Sequence, residues 1–198
     1  MPATFAVPRP RVVLALLLAA AVLAALALAV VAQRPSTINV GAATAGIVHI
    51  EMKITGQKTG VFKGDSVQKG HEDQILVSSF LFELTSPRDA ATGLPTGKRS
   101  FHPVTITKQV NQSSPQILSA ASTNENLKSV VINFWQTTRT GTEVNYYRVT
   151  LTNASISDVR QFSAGATVSE DVSFTFQKIE QDSLTGHTSY SDNWEVVT

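Results

Sequence analysis

Four histidines, His49, His71, His102 and His187, are the residues best suited to metal binding or proton transfer, and they are scattered without ligand spacing. His187 lies near Asp182 and Asp192 along the chain, a set of donors that a C-terminal loop could bring to one cation. Polar loops carry such residues routinely and no supporting second layer is legible, so no metal is expected there. His71-Glu72-Asp73 reads the same way, as a polar approach to a strand. Gly56, Gly60 and Gly64, with Lys58, Lys63 and Ser66 among them, faintly suggest a phosphate cradle. Their spacing departs from G-x-x-x-x-G-K-S/T and no amphipathic helix follows to add its dipole, so they read as turn glycines. Serine, histidine and acidic side chains are all present, but no G-x-S-x-G elbow occurs, so no nucleophilic triad is expected. Cysteine is absent, which excludes disulfides, thiolate chemistry and Cys-based metal sites. The chemistry-bearing residues thus predict no catalytic set, no cofactor and no metal.

Charge excludes a further class. The 198 residues carry 16 Lys and Arg against 15 Asp and Glu, and no basic stripe interleaves with aromatics. No nucleic-acid footprint is expected.

Three segments follow from composition. Residues 1–32 end in Val12–Ala32, a run of 21 residues drawn only from Val, Leu and Ala, with Arg9 and Arg11 just before it. The run is long enough to cross a hydrocarbon core as a helix, and the arginines favour a cytoplasmic N-terminus. It lacks any polar face and so does not suit a core helix. Val30-Val31-Ala32 also offers small residues at the −3 and −1 positions of a signal-peptidase cut before Gln33. An uncleaved inner-membrane anchor and a cleaved export signal therefore both stand. Residues 33–45 are small and polar and read as a flexible linker.

Residues 46–198 are the domain that must position any site. Val48, Ile50, Met52 and Ile54 alternate with His49, Glu51 and Lys53, the period of a half-buried strand. Further strands are expected over Gln74–Thr85, Val104–Thr107, Leu127–Thr138, Glu143–Asn153, Ser155–Phe162, Val168–Ile179 and Asn193–Val197. Arg139–Thr142 reads as a hairpin turn. One helix is expected from an N-cap at Ser114, with Pro115 next and Ile117, Leu118 and Ala121 as its apolar stripe. Many short strands with one inserted helix predict a mainly β protein, a closed or nearly closed antiparallel barrel.

Ser86–Lys108 (SPRDAATGLPTGKRSFHPVTITK), Tyr146–Phe162 (YYRVTLTNASISDVRQF) and Glu170–Glu180 (EDVSFTFQKIE) stand in an order and spacing similar to those of the Hcp (haemolysin-coregulated protein, TssD) family. The resemblance runs from about Gly46 to Trp194. It implies an Hcp-like β-barrel, the tube subunit of a bacterial type VI secretion system, which is structural rather than enzymatic. The implied partners are copies of itself in a hexameric ring, stacked rings, effector cargo in the lumen and other secretion-system components. It further implies that the loop from Ser86 to Pro103 projects and contacts a neighbouring ring or subunit, with Arg88, Asp89, Lys98 and Arg99 as interface charges. A chain ending just after its last strand leaves no room for a C-terminal toxin extension. Two features depart from the family. One is the N-terminal apolar run, which implies a protein anchored in the inner membrane facing the periplasm or exterior, or secreted after cleavage. The other is Gln181-Asp182-Ser183, standing where the family commonly has an aromatic-rich stretch. A monomeric Hcp-fold binding module, anchored in the envelope or exported, is the alternative function.

Overall fold

The computed structural model describes residues 48–194, so the expectations for residues 1–32 and the linker lie outside the described residues. β1 (Val48–Gly56) buries Met52 and Ile54, as its alternation predicts. It pairs antiparallel with β8 (Leu127–Thr137), with Ile50 opposite Phe134 and Ile54 opposite Val130. β8 pairs with β9 (Glu143–Ala164), β9 with β10 (Thr167–Ser183), and β10 with β7 (Val104–Gln109), every pair antiparallel. The short β2 (Gly60–Val61) turns back on β1, and β11 (Thr188–Asn193) folds back on β10.

The segment expected as one strand over Gln74–Thr85 is three. β3 (Ile75–Val77) pairs with β1, β4 (Ser79–Leu81) pairs with β7, and β5 (Leu84–Thr85) pairs with β6 (Ser100–Phe101). The break at Ser78, whose N–H donates to Thr107 O at 2.8 Å, lets one stretch serve two partners. Residues 75–81 thereby join the two ends of the strand path in a nine-stranded antiparallel sheet. Their side chains and those of the long strands enclose the core, where Val130, Ile132, Val149, Leu151, Val172 and Phe174 are fully buried.

Two expected strands are one. Glu143–Asn153 and Ser155–Phe162 form a single 22-residue strand, β9, whose ladders continue on both sides of Asn153 although that residue adopts a left-handed φ of 48°. Asn tolerates that conformation, and its amide donates to Gln177 Oε1 at 2.7 Å across the pair. β11 (Thr188–Asn193) was not expected, and the strand expected over Asn193–Val197 lies largely outside the described residues.

α1 (Ser114–Ser122) falls where Pro115 and the apolar spacing put it. Its cap is Ser113 rather than Ser114, and the buried face is Ser114, Ile117 and Ala120, with Leu118 left exposed. Ser114 was diverted from capping by a buried charge. Its hydroxyl donates to Glu170 Oε1 at 2.8 Å, while Lys108 Nζ donates to Asn111 Oδ1 at 2.8 Å and Gln109 O at 2.9 Å. Lys108 and Glu170 are both inaccessible to solvent, 2.8 Å apart, and Gln161 donates to the second Glu170 oxygen.

Candidate functional site

The long loop from Ser86 to Pro103, expected to project toward a neighbouring ring or subunit, is tied into turns. Asp89 Oδ1 accepts from the N–H groups of Ala91 and Thr92 at 3.1 and 2.8 Å, and from the Thr92 hydroxyl at 2.8 Å. These bonds, the Thr92 hydroxyl foremost, hold the Asp89 carboxyl below its ordinary range. Gly93 follows with a φ of 71°, a conformation that costs a residue without a Cβ little. Asp89 N–H donates to Leu94 O at 2.9 Å, Thr96 N–H to Pro87 O at 3.2 Å, and Arg88 bridges to Pro95. Two strands of chain are thus zipped together with a tip near residues 90–94.

The four charges of this loop divide by role. Asp89 is the loop's internal tie. Arg99 is its anchor: Nε and Nη2 donate to Asp192 Oδ2 and Oδ1 at 2.6 and 2.5 Å, a two-pronged pair joining the loop to β11. The Tyr190 hydroxyl donates to Asp192 as well, at 2.7 Å, and the Arg99 guanidinium lies over the Phe101 ring. Arg99 holds the Asp192 carboxyl below the usual range, and Asp192 raises Arg99 in return. Arg88 and Lys98 are exposed and make no ion pair or side-chain hydrogen bond among the described residues. Leu94 lies between them in sequence with 63% of its surface open to solvent. The sequence placed all four charges on one loop, and the structure leaves two of them outward-facing.

The suspected chemistries resolve locally. Asp192, Asp182 and His187 do not gather: Asp192 is engaged by Arg99, and His187 sits in the β10–β11 turn. The turn at Lys58 and Thr59 holds an internal carboxylate. Glu125 Oε1 accepts from the N–H groups of Lys58 and Thr59, both at 2.7 Å, and Oε2 accepts from the Thr59 hydroxyl. Gly56 has no Cβ because Glu125 and Phe62 occupy that space. Sequence reasoning missed a different grouping, in which His49, Glu51 and His71 each bring a ligand atom within 4.8 Å of the others. The His49-x-Glu51 spacing on one strand face was the available sign of it.

The described residues form a mainly β protein, an antiparallel sheet with one short helix. The chain belongs to the family described as "Type VI secretion system effector, Hcp", whose model matches residues 52–182. That family is structural and non-enzymatic. The chain is 39% identical to the "Major exported protein" of Pseudomonas aeruginosa, over 72% of this chain and 93% of that one. Among solved structures it is similar to the secreted protein Hcp3 of Pseudomonas aeruginosa, at 34% identity and a TM-score of 0.65, covering 76% of this chain and 100% of that one. A crystal structure of an Hcp protein matches at 26% identity with a TM-score of 0.71, covering 74% of this chain and 99% of that chain.

Proposed function

We propose that this protein is a ring-forming tube subunit, its sheet closed as a barrel that packs side by side with copies of itself in a hexamer. The rings stack through the loop from Ser86 to Pro103, and the lumen carries effector cargo toward other components of a secretion system. Family membership across nearly the whole described region is the observation that carries this reading. The loop adds a local argument. Arg88, Lys98 and the apolar Leu94 are all exposed on a loop whose tip is held in shape by Asp89 and whose base is held by Arg99. A surface that is preorganised loses less entropy when it docks. Charge reversal at Arg88 and Lys98 should therefore reduce ring-on-ring assembly seen by electron microscopy, with individual rings intact. Normal stacking in that variant would remove the loop from the interface.

A second reading is an envelope-tethered or exported monomeric binding module, and Val12–Ala32 is the feature that favours it. An anchor retained on every subunit would obstruct a free tube, whereas a signal cut before Gln33 would release one. Intact-mass analysis of the native protein separates the two: a mature N-terminus at Gln33 supports release, and an uncleaved chain in the membrane fraction supports the tether. Uncleaved protein in the soluble cytoplasmic fraction would defeat both forms of export.

A further inference from the structure

Outside the loop, the outward face of β1 carries a cluster that neither the core nor the tube reading uses. Glu51 points away from the core, yet it is only 1% exposed, because residues 62–74 fold over it. His71 from that covering segment brings Nδ1 to 2.5 Å from Glu51 Oε2, and the Ser66 hydroxyl donates to Glu51 Oε1 at 3.3 Å. The other nitrogen of His71, Nε2, is 3.4 Å from Glu143 Oε2 at the start of β9. Glu143 Oε1 is 3.1 Å from His49 Nε2, and His49 Nε2 is 3.8 Å from Glu51 Oε1. Four side chains from three parts of the chain thus close a ring of nitrogen and oxygen atoms. Trp135 walls one side, stacked on His49 at 6.3 Å and edge-on to His71 at 4.5 Å.

Hydrogen bonding does not complete this ring. His49 Nε2 is buried and unbonded, since Glu143 lies near it but out of alignment for a hydrogen bond. Two carboxylates among two imidazoles also need two positive charges, and a buried polar group left unsatisfied is costly. One divalent cation supplies both charges while the imidazoles stay neutral, the form in which they ligate. The distances suit it. Bonds of about 2.0–2.2 Å to N and O place tetrahedral neighbours about 3.3–3.6 Å apart. The His71–Glu143 separation of 3.4 Å falls within that range, and the His49–Glu143 separation of 3.1 Å lies just below it. The His71–Glu51 contact, at 2.5 Å, is a hydrogen bond instead. It is the contact expected of a carboxylate that fixes a ligand histidine by accepting its Nδ1–H and turning Nε2 outward. Gln68 plays the like part for Glu143, donating to Oε2 at 2.6 Å.

We infer that His49, His71 and Glu143 form a binding site for one borderline divalent cation such as Zn2+, with Glu51 positioning His71. Imidazole with carboxylate suits such ions better than Mg2+ or Ca2+, which take all-oxygen sets. The ion fastens the covering segment to β1 and to the β8–β9 hairpin. This inference does not depend on ring assembly.

The test uses the full chain stripped with a chelator and titrated with Zn2+ alone, with bound metal counted by elemental analysis after dialysis. One saturable Zn2+ per chain is expected, with a melting temperature that rises with free Zn2+. Co2+ in its place should give the absorption of a tetrahedral nitrogen and oxygen site. His49→Gln with His71→Gln should abolish the bound equivalent. Glu51→Gln, which retains shape, should weaken binding about 10- to 100-fold. His102→Gln with His187→Gln should leave it unchanged. His49→Gln alone, on a partly exposed residue, keeps the test valid if the buried substitutions fail to fold. No saturable binding, or an equivalent that survives loss of His49 and His71, would reduce the cluster to a network of ion pairs.

Discussion

Among the ion pairs of the described residues, two look alike on paper and differ in their surroundings. Lys108–Glu170 lies sealed beneath the start of α1, with Ser114, Asn111 and Gln161 filling its remaining valences. Arg99–Asp192 lies near the surface, where it ties the long loop to β11, and both side chains keep some contact with water. In the first pair neither charge can be lost alone, since the other would be left buried and unpaired. The second holds a loop in place that water would otherwise solvate. Burial, more than the pairing itself, separates the region that fixes the fold from the region left to meet other surfaces.

The largest effect should follow from breaking the sealed pair. Lys108→Met should cost about 3–5 kcal/mol in denaturant unfolding, because Glu170 is then left buried without its counter-charge. Replacing both, Lys108→Met with Glu170→Leu, should recover most of that loss. Equal stability of the single and double variants would show that packing under α1, not charge, sets the cost.

Acid should expose the same contrast. Burial pushes Glu170 up, but hydrogen bonds from Lys108, Gln161 and Ser114 outweigh it and hold the carboxyl below its ordinary value. Glu125, bonded by Thr59, and Asp171, bonded by Thr107 and Arg160, are held low as well. A carboxyl lowered on folding stabilises fully above its unfolded value of about 4, and that contribution is lost as pH falls through the folded values. The contribution of these carboxyls should thus be complete at neutrality and decline steeply below about pH 4. Glu170→Gln should flatten the decline more than Asp192→Asn does, as a melting series in pH would reveal.

Smaller effects belong to the loop. Arg99→Gln should speed hydrogen exchange and proteolysis over residues 86–98 while global melting barely moves. Reversing Arg88 and Lys98 should leave both unchanged and show itself only in stacking.

What the sequence made legible follows from how local the cause was. Alternation along β1 and β10 predicted their buried faces, and Pro115 with Ile117 predicted α1. The strand breaks were misplaced where one residue changes the backbone without changing the pattern: Asn153 takes a left-handed φ within β9 without ending it, and Ser78 divides a run that reads as continuous. The four loop charges were found from the family resemblance, but their division into tie, anchor and free surface was not. Asp192 is 93 residues from Arg99, and no local pattern joins them. The His49, Glu51, His71 and Glu143 cluster was missed for the same reason, since the covering segment that buries Glu51 carries no hydrophobic period to betray it.

Native mass spectrometry of the full chain across a concentration series addresses the central claim, that this Hcp-family chain is a ring-building subunit. The account predicts closed oligomers of identical subunits, hexamers above all, and ring-shaped particles of matching size by electron microscopy. Monomer alone at high micromolar concentration, from protein that melts cooperatively, would contradict it and leave the tethered binding module as the better description.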